Sequence, residues 1–280
     1  MNKKAKKYSV ILLRVVIMAF FLVLVVAPVY WITVTAFKKS NEILDLLNMS
    51  YFPREPIITN FIELFKQYDY GILLKNSLIV SIIAALVVTI FAMFGGYAMA
   101  RFDFAGKNAV VLFFLITQMI PGILVLIPVY EAYSKLGLTN TLTGLIIYYI
   151  AGNLPFCVIT MRSFFERIPV SLEEAAKVDG CSRMQALFKV ILPIMLPSII
   201  AVFVFGFIGG WNELIAGTIF ISKMDLLTIP VGLKTLIGKY NVEWGLMCAG
   251  GVMALIPTAI MFCFMQKYVV DGLTAGAVKE

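Results

Sequence analysis

The stretch Pro169-Val-Ser-Leu-Glu-Glu-Ala-Ala-Lys-Val-Asp-Gly180, continuing through Ser182-Arg-Met-Gln185 to Val190-Ile-Leu-Pro193, is a polar interruption between apolar segments. Pro169 blocks continuation of a preceding helix. Ser171 and Glu174 stand at capping-box spacing. A helix start is therefore predicted at Ser171, its hydroxyl taking the Glu174 amide and the carboxylate returning to the Ser171 amide. Gly180 suits the position after a helix end, where positive φ costs little. A second box, Ser182 to Gln185, follows at once. Met184, Leu187, Phe188 and Ile191 then recur at i, i+3, i+4 and i+7, until Pro193 and Pro197 stop the helix. Two short helices at an angle are expected. Ala175 and Ala176 leave the first one thin, so its backbone can approach another surface. Glu173, Glu174 and Asp179 suit a groove with basic or hydrogen-bond-donating walls. A surface helix that merely connects two spans is the plainer alternative.

Everything around this element reads as membrane. Of 280 residues, 61% are hydrophobic and 14% charged, with a mean hydropathy of +0.95, whereas a soluble domain carries roughly a quarter charged residues. Histidine is absent, and Cys157, Cys181, Cys248 and Cys263 have no Cys-x-x-Cys spacing. The chain is therefore expected to hold no metal, redox centre or disulfide framework. Its net charge of +7 sits at the ends of apolar segments rather than on one folded surface, which points away from nucleic acid.

Six segments meet the roughly 20-residue requirement for crossing a bilayer: Ser9–Ala36, Asn76–Ala100, Ala109–Tyr130, Leu142–Met161, Leu196–Phe220 and Leu246–Gln266. The first is too long for a signal-peptide core and is expected to be a retained span. The fold class is thus an all-α membrane protein of six transmembrane helices, with a short loop between the fourth and fifth. It is expected to form one polytopic domain over residues 1–280. Alternation of sides puts 14 of the 23 basic residues on the side that holds both termini and the Pro169–Pro193 stretch. That bias predicts a cytoplasmic location for them. The opposite loop, Lys38–Lys75, carries an amphipathic Asn60–Tyr68 and is either a connector or a docking surface. Pro28, Pro121, Pro128, Pro155, Pro257, Gly95-Gly96 and Gly209-Gly210 mark close helix packing or kinks along a pathway.

The spacing Glu174-Ala175-Ala176-x3-Gly180-x9-Val190-x-Leu192-Pro193 resembles the EAA signature of permease subunits of ABC importers, with Val190 where isoleucine is usual. Asn76-Ser-Leu-Ile-Val80, Gly96-Tyr-Ala-Met-Ala-Arg-Phe102, Trp211-Asn-Glu213 and Tyr268-Val-Val-Asp-Gly-Leu-Thr-Ala-Gly-Ala-Val-Lys279 resemble the carbohydrate-uptake branch, especially the second permease of maltose-type transporters. The resemblance implies a type I importer architecture with a permease core over residues 72–267. It implies that the loop is a coupling helix seated in a cleft of an ATPase subunit. Ser171, Glu173, Glu174, Ala175, Ala176, Asp179, Gly180, Arg183, Leu192 and Pro193 become the coupling residues. The tail, 268–280, would reach between two ATPase subunits through Gly272, Leu273, Thr274, Ala275 and Gly276. Implied partners are a second homologous permease, two ATPase subunits that bind ATP and magnesium, an extracytoplasmic sugar-binding protein and membrane lipid. The cargo would be a sugar or oligosaccharide, with glycerol phosphate or another polyol as the alternative.

The chain itself carries no phosphate loop, no Gly-x-Ser-x-Gly elbow and, without histidine, no Ser-His or Cys-His pair. It is expected not to be an enzyme, and to leave any cofactor to its partners. A carboxylate at membrane depth marks a pathway or partner site by default, so Glu213, with Trp211 and Asn212, is a pathway or gate candidate. Asn153 and Gln118 are weaker ones. The lack of an intramembrane ionisable network argues against the rival class, an ion-coupled secondary transporter, and no filter-like glycine-rich loop suggests a channel.

Overall fold

The computed structural model describes residues 3–238 and 242–274, with side chains for Tyr8, 11–238 and 242–266. Among the described residues the chain is helical, and its extended pairing is a single bridge between Ile237 and Val242. In chain order the helices are α1 (Lys3–Ala36), α2 (Ser40–Leu44), α3 (Thr59–Gln67), α4 (Tyr70–Arg101), α5 (Lys107–Met119), α6 (Gly122–Lys135) and α7 (Leu142–Glu166). After these come α8 (Ser171–Val178), α9 (Arg183–Ala186), α10 (Leu192–Ile194), α11 (Leu196–Trp211), α12 (Ile215–Phe220), α13 (Ile229–Lys234) and α14 (Trp244–Thr274). A π-helical turn, Leu187–Ile191, joins α9 to α10.

Among the described residues four helices are long and apolar enough to cross a membrane: α1 over Ile11–Ala36, α4, α7 and α14 over Trp244–Gln266. Two bent pairs raise the number to six if each is one span. Continuous helices over Ala109–Tyr130 and Leu196–Phe220 were the expectation, and both are broken. The first breaks where Ile120 turns extended ahead of Pro121, and α5 and α6 meet at 98°. A residue before proline is driven out of the helical region by the pyrrolidine ring. The second ends at Trp211 and resumes only at Ile215. A further bend of 78°, at Met195, separates α9 and α10 from α11.

The chain forms two compact units. One comprises residues 1–70 and 233–255. Within it α3 is the amphipathic helix expected over Asn60–Tyr68, and it closes the end of α1. Asn60 Nδ2 donates to the carbonyls of Ala36 at 2.8 Å and Lys38 at 3.0 Å, groups that a helix end leaves without internal partners. Tyr70 donates its hydroxyl to the Gly250 carbonyl at 2.9 Å.

The other unit comprises residues 71–232 and 256–280. Its core joins α4, α7, the π turn and α11 through Val88, Ala92, Cys157, Met161, Phe165, Leu187, Ile191 and Val202. Gly96 permits the approach of α4 to α7: a Cβ there would stand 2.8 Å from the Arg162 amide nitrogen and 2.9 Å from Met161 Cβ. Asn76 and Ser77 at the other end of α4 hold the segment before α13. They do so by Asn76 Nδ2 to the carbonyls of Asp225 (2.9 Å) and Leu227 (3.0 Å), and by Ser77 Oγ accepting the Ile229 amide at 2.7 Å.

Candidate coupling site

The Pro169–Pro193 stretch folds as two short helices, α8 and α9. The cap of α8 departs from the expectation. Val170, already helical, is its N-cap, and the Glu174 amide donates to the Val170 carbonyl at 3.1 Å, so Ser171 is the first helical residue and makes no cap. Pro169 ends α7 early enough for Val170 to take that place. The C-terminus is as read. Gly180 has φ +83°, its amide donates to Lys177 O at 3.0 Å, and the Cys181 amide donates to Ala176 O at 2.9 Å. This pair of bonds is a Schellman closure. At α9 the second box is complete: Ser182 Oγ accepts the Gln185 amide at 3.3 Å and Gln185 Oε1 accepts the Ser182 amide at 2.8 Å.

α8 has two unlike faces. Glu173 and Ala176 are buried, whereas Ser171, Glu174, Ala175, Asp179 and Gly180 are exposed and Val178 is 88% exposed. Glu173 therefore faces its own unit rather than the exposed side of α8. Its Oε1 accepts from Arg101 Nε at 2.6 Å, and its Oε2 accepts the Tyr97 hydroxyl at 3.0 Å. Arg101 also donates through Nη2 to the Ile168 carbonyl at 2.8 Å. Guanidinium and carboxylate side chains are only 7% and 5% exposed. Ala176 lies on the same inner side of α8, where its methyl is buried. Arg183 is exposed, and its guanidinium lies 4.5 Å from the Phe102 ring centre.

The apolar stripe behind α9 is only half as expected. Leu187 and Ile191 are fully buried in the core, but Met184 and Phe188 remain half exposed. The π turn widens the helix over these residues and displaces the i, i+4 alignment. Leu192 packs against the same core, and Pro193 is exposed inside α10 rather than ending a helix. The Tyr97–Arg101–Glu173 knot ties the inner face of α8 to the C-terminal end of α4. Tyr97 and Arg101 were not singled out as coupling residues from the sequence. Their signal was a tyrosine and an arginine one helical turn apart at a span end, where both share a face.

The pathway candidates gather differently. Glu213 caps α12: Oε1 accepts the amides of Ile215 (3.0 Å) and Ala216 (2.9 Å), and Oε2 accepts that of Gly217 (3.0 Å). Its carboxylate is committed to a helix start, and the Tyr149 hydroxyl lies 3.4 Å away. Trp211 is buried and stacks on Phe207 at 5.2 Å. Asn153 donates to the Tyr149 carbonyl at 2.8 Å and lies against Gly209, where a Cβ would meet its Oδ1 at 2.2 Å. Asn212 and Gln118 are exposed, the latter 3.5 Å from the Gly152 carbonyl. Of the tail, Gly272, Leu273 and Thr274 continue the backbone of α14, while Ala275 and Gly276 lie outside the described residues. Among the described residues no group of three or more Cys, Asp or Glu is placed to hold a metal ion.

Residues 92–271 match the family described as binding-protein-dependent transport system inner membrane component. The diacetylchitobiose uptake system permease protein DasC of Streptomyces coelicolor is 35% identical over 254 residues, covering 91% of this chain and 92% of that protein. The arabinooligosaccharides transport system permease protein AraQ of Halalkalibacterium halodurans is 32% identical over 263 residues, with 93% and 94% covered. In fold, the chain is similar to a solved chain of a bacterial ABC transporter involved in the import of the acidic polysaccharide alginate. The TM-score is 0.78 at 20% identity, covering 96% of this chain and 98% of that one.

Proposed function

Because this chain belongs to the family of binding-protein-dependent transport system inner membrane components, we propose that it is the permease through which partner ATPases drive a sugar or oligosaccharide across the cytoplasmic membrane. A second, homologous permease completes the pathway. Two ATPase subunits bind ATP and magnesium, and an extracytoplasmic binding protein delivers the cargo. Both termini and α8 lie on the cytoplasmic side, in keeping with the basic bias of those segments. The carbohydrate cargo is supported by the two relatives named for diacetylchitobiose and arabinooligosaccharides.

The observation that carries the reading is the division of α8 into an exposed face and a buried, ion-paired one. Glu174, Ala175, Asp179 and Gly180 offer a narrow acidic ridge to an ATPase cleft. Glu173 behind it binds the ridge to α4 through Arg101 and Tyr97. Closure of the ATPases presses on the ridge, and the knot passes that displacement to the spans. Product release reverses it. Leu192 packs on the core just ahead of the bend into α11, with Pro193 exposed beside it, and Arg183 steadies α9 against Phe102. Gly272, Leu273, Thr274, Ala275 and Gly276 are a second contact with the ATPases. Asn212 and Gln118 are the exposed polar groups offered to cargo or to the sister permease, while Glu213, Trp211 and Asn153 shape the break beside them.

The test is to purify the tagged chain from its native cells in mild detergent and identify what accompanies it. An ATPase and a second permease are expected, with ATP hydrolysis that Gly180→Pro abolishes while the chain still inserts. Proline would remove the amide that bonds Lys177 O and cannot adopt φ +83°. A chain that arrives alone and moves solute under an ion gradient would overturn the reading.

A further inference from the structure

The connection between α2 and α3 presents an apolar tip that its own unit leaves uncovered. Leu44, Leu46, Leu47 and Met49 are 61%, 77%, 94% and 66% exposed, and Tyr51 and Phe52 are 73% and 72% exposed. The tip is held in shape. Asp45 Oδ1 accepts the Asn48 amide at 3.1 Å, Arg54 Nη2 donates to the Asn48 carbonyl at 2.6 Å, and the Arg54 amide donates to Glu42 Oε1 at 3.0 Å. These bonds use the polar groups of the turn and leave its leucines outside.

The depth of the tip follows from α1. Its uninterrupted apolar run begins at Val15, just after Arg14. At about 1.5 Å per residue, roughly 20 residues cross a 30 Å hydrocarbon core. The far boundary then falls near Val34, one helical turn past Tyr30 and Trp31, residue types that favour the headgroup level. The tip packs on these two rings. Tyr30 donates its hydroxyl to the Tyr51 carbonyl at 2.7 Å, the Trp31 and Tyr51 rings meet edge to face at 6.2 Å, and so do Tyr30 and Phe52. Lys38 lies over the other part of Trp31, 4.9 Å from its ring centre.

Charge does not call for a soluble partner here. The cations Lys38, Lys39 and Arg54 stand among the acids Glu42, Asp45 and Glu55, with Lys39 paired to Glu55 and Arg54 to Asp45. Local charge is balanced, and what remains unsatisfied is apolar. We propose that Leu46, Leu47 and Met49 insert into the lipid leaflet at the C-terminal end of α1, making this connection an interfacial anchor. The aromatic rings of Tyr51 and Phe52 then continue the belt formed by Tyr30 and Trp31. Each leucine moved from water into acyl chains contributes to holding the end of α1 at fixed depth.

The test uses the full chain, with whatever partners copurify, in lipid nanodiscs. The four native cysteines are replaced by serine or alanine, and an environment-sensitive fluorophore is attached at Leu47→Cys or, separately, Met49→Cys. The expected result is blue-shifted emission that falls by roughly half with lipids brominated near the headgroup end of the acyl chains. A Glu63→Cys label on α3 serves as the reference and is expected to be quenched less. Water-like emission unmoved by brominated lipid at both tip positions would overturn the anchor. So would emission that shifts only when a binding protein or second permease is added, which would make the tip a protein-docking surface. Neither result depends on the coupling reading, which copurification tests separately.

Discussion

Two polar connections of this chain carry opposite constructions, the Pro169–Pro193 loop and the Lys38–Ile58 connection. Both use ion pairing, and each carries at least one short helix. In the first, the carboxylate–guanidinium pair Glu173–Arg101 is almost wholly shielded from water. In the second, the Lys39–Glu55 and Arg54–Asp45 pairs lie in solvent. A buried pair is costly to break because either charge left alone is desolvated without compensation. An exposed pair yields to water and salt with little loss. The same residue types therefore make a joint in one place and a pliable polar surface in the other. A loop that passes displacement to its spans requires the first construction.

The widest gap between the two is expected on breaking one partner. Glu173→Ala leaves Arg101 buried and unpaired and should cost about 3–5 kcal/mol, seen as a lower thermal midpoint of the detergent-solubilised chain. Lys39→Ala in the other connection should leave that midpoint where it was, and equal losses would erase the distinction. Gly180→Ala comes next. Forcing a Cβ into φ +83° should cost about 1–2 kcal/mol, read as faster hydrogen exchange in α8 alone.

The corrected cap supplies a smaller contrast. Ser182→Ala removes a completed box and should destabilise α9 by about 1 kcal/mol, whereas Ser171→Ala should change nothing measurable, since Ser171 caps no amide. The reverse order would restore the cap read from the sequence. The smallest effect belongs to Glu42, which lies outside the spans. Burial works to raise its carboxyl, but the Ser50 hydroxyl, the Arg54 amide and the cations Lys38 and Arg54 outweigh it and hold it below the usual 4.5. A lowered folded-state pKa stabilises above the unfolded value and is lost as pH falls through the lowered one. Protection of the Arg54 amide, its exchange measured against the unstructured rate at the same pH, should thus be high at neutral pH and fall below pH 4.5. Glu42→Gln should remove that dependence.

What the sequence revealed follows the range of each interaction. The spans were legible because about 20 unbroken apolar residues have few other uses, and Gly180 and the Ser182–Gln185 box were legible because they act within four residues. Ser171 was misread because Pro169 allows either Val170 or Ser171 to precede the first turn, and only the backbone distinguishes them. The break at Pro121 was not legible, since membrane helices often tolerate proline. Glu213 stood out as a carboxylate at membrane depth, but its role as a cap appears only once α12 is known to begin at Ile215. The knot was least legible: Arg101 and Glu173 are 72 residues apart, and neither betrays its partner in a single sequence.

The central claim, that α8 and α4 move as one body, is most directly tested by the distance between spin labels at Val178→Cys on α8 and Phe91→Cys on α4, both exposed positions. The chain is held in nanodiscs with the ATPases that the proposed function predicts will copurify, with and without trapped nucleotide. One narrow distribution, unchanged by nucleotide and broadened in Glu173→Gln, is the expected result. A wild-type distance that shifts when nucleotide binds would contradict it, because α8 would then slip against the span it is held to drive.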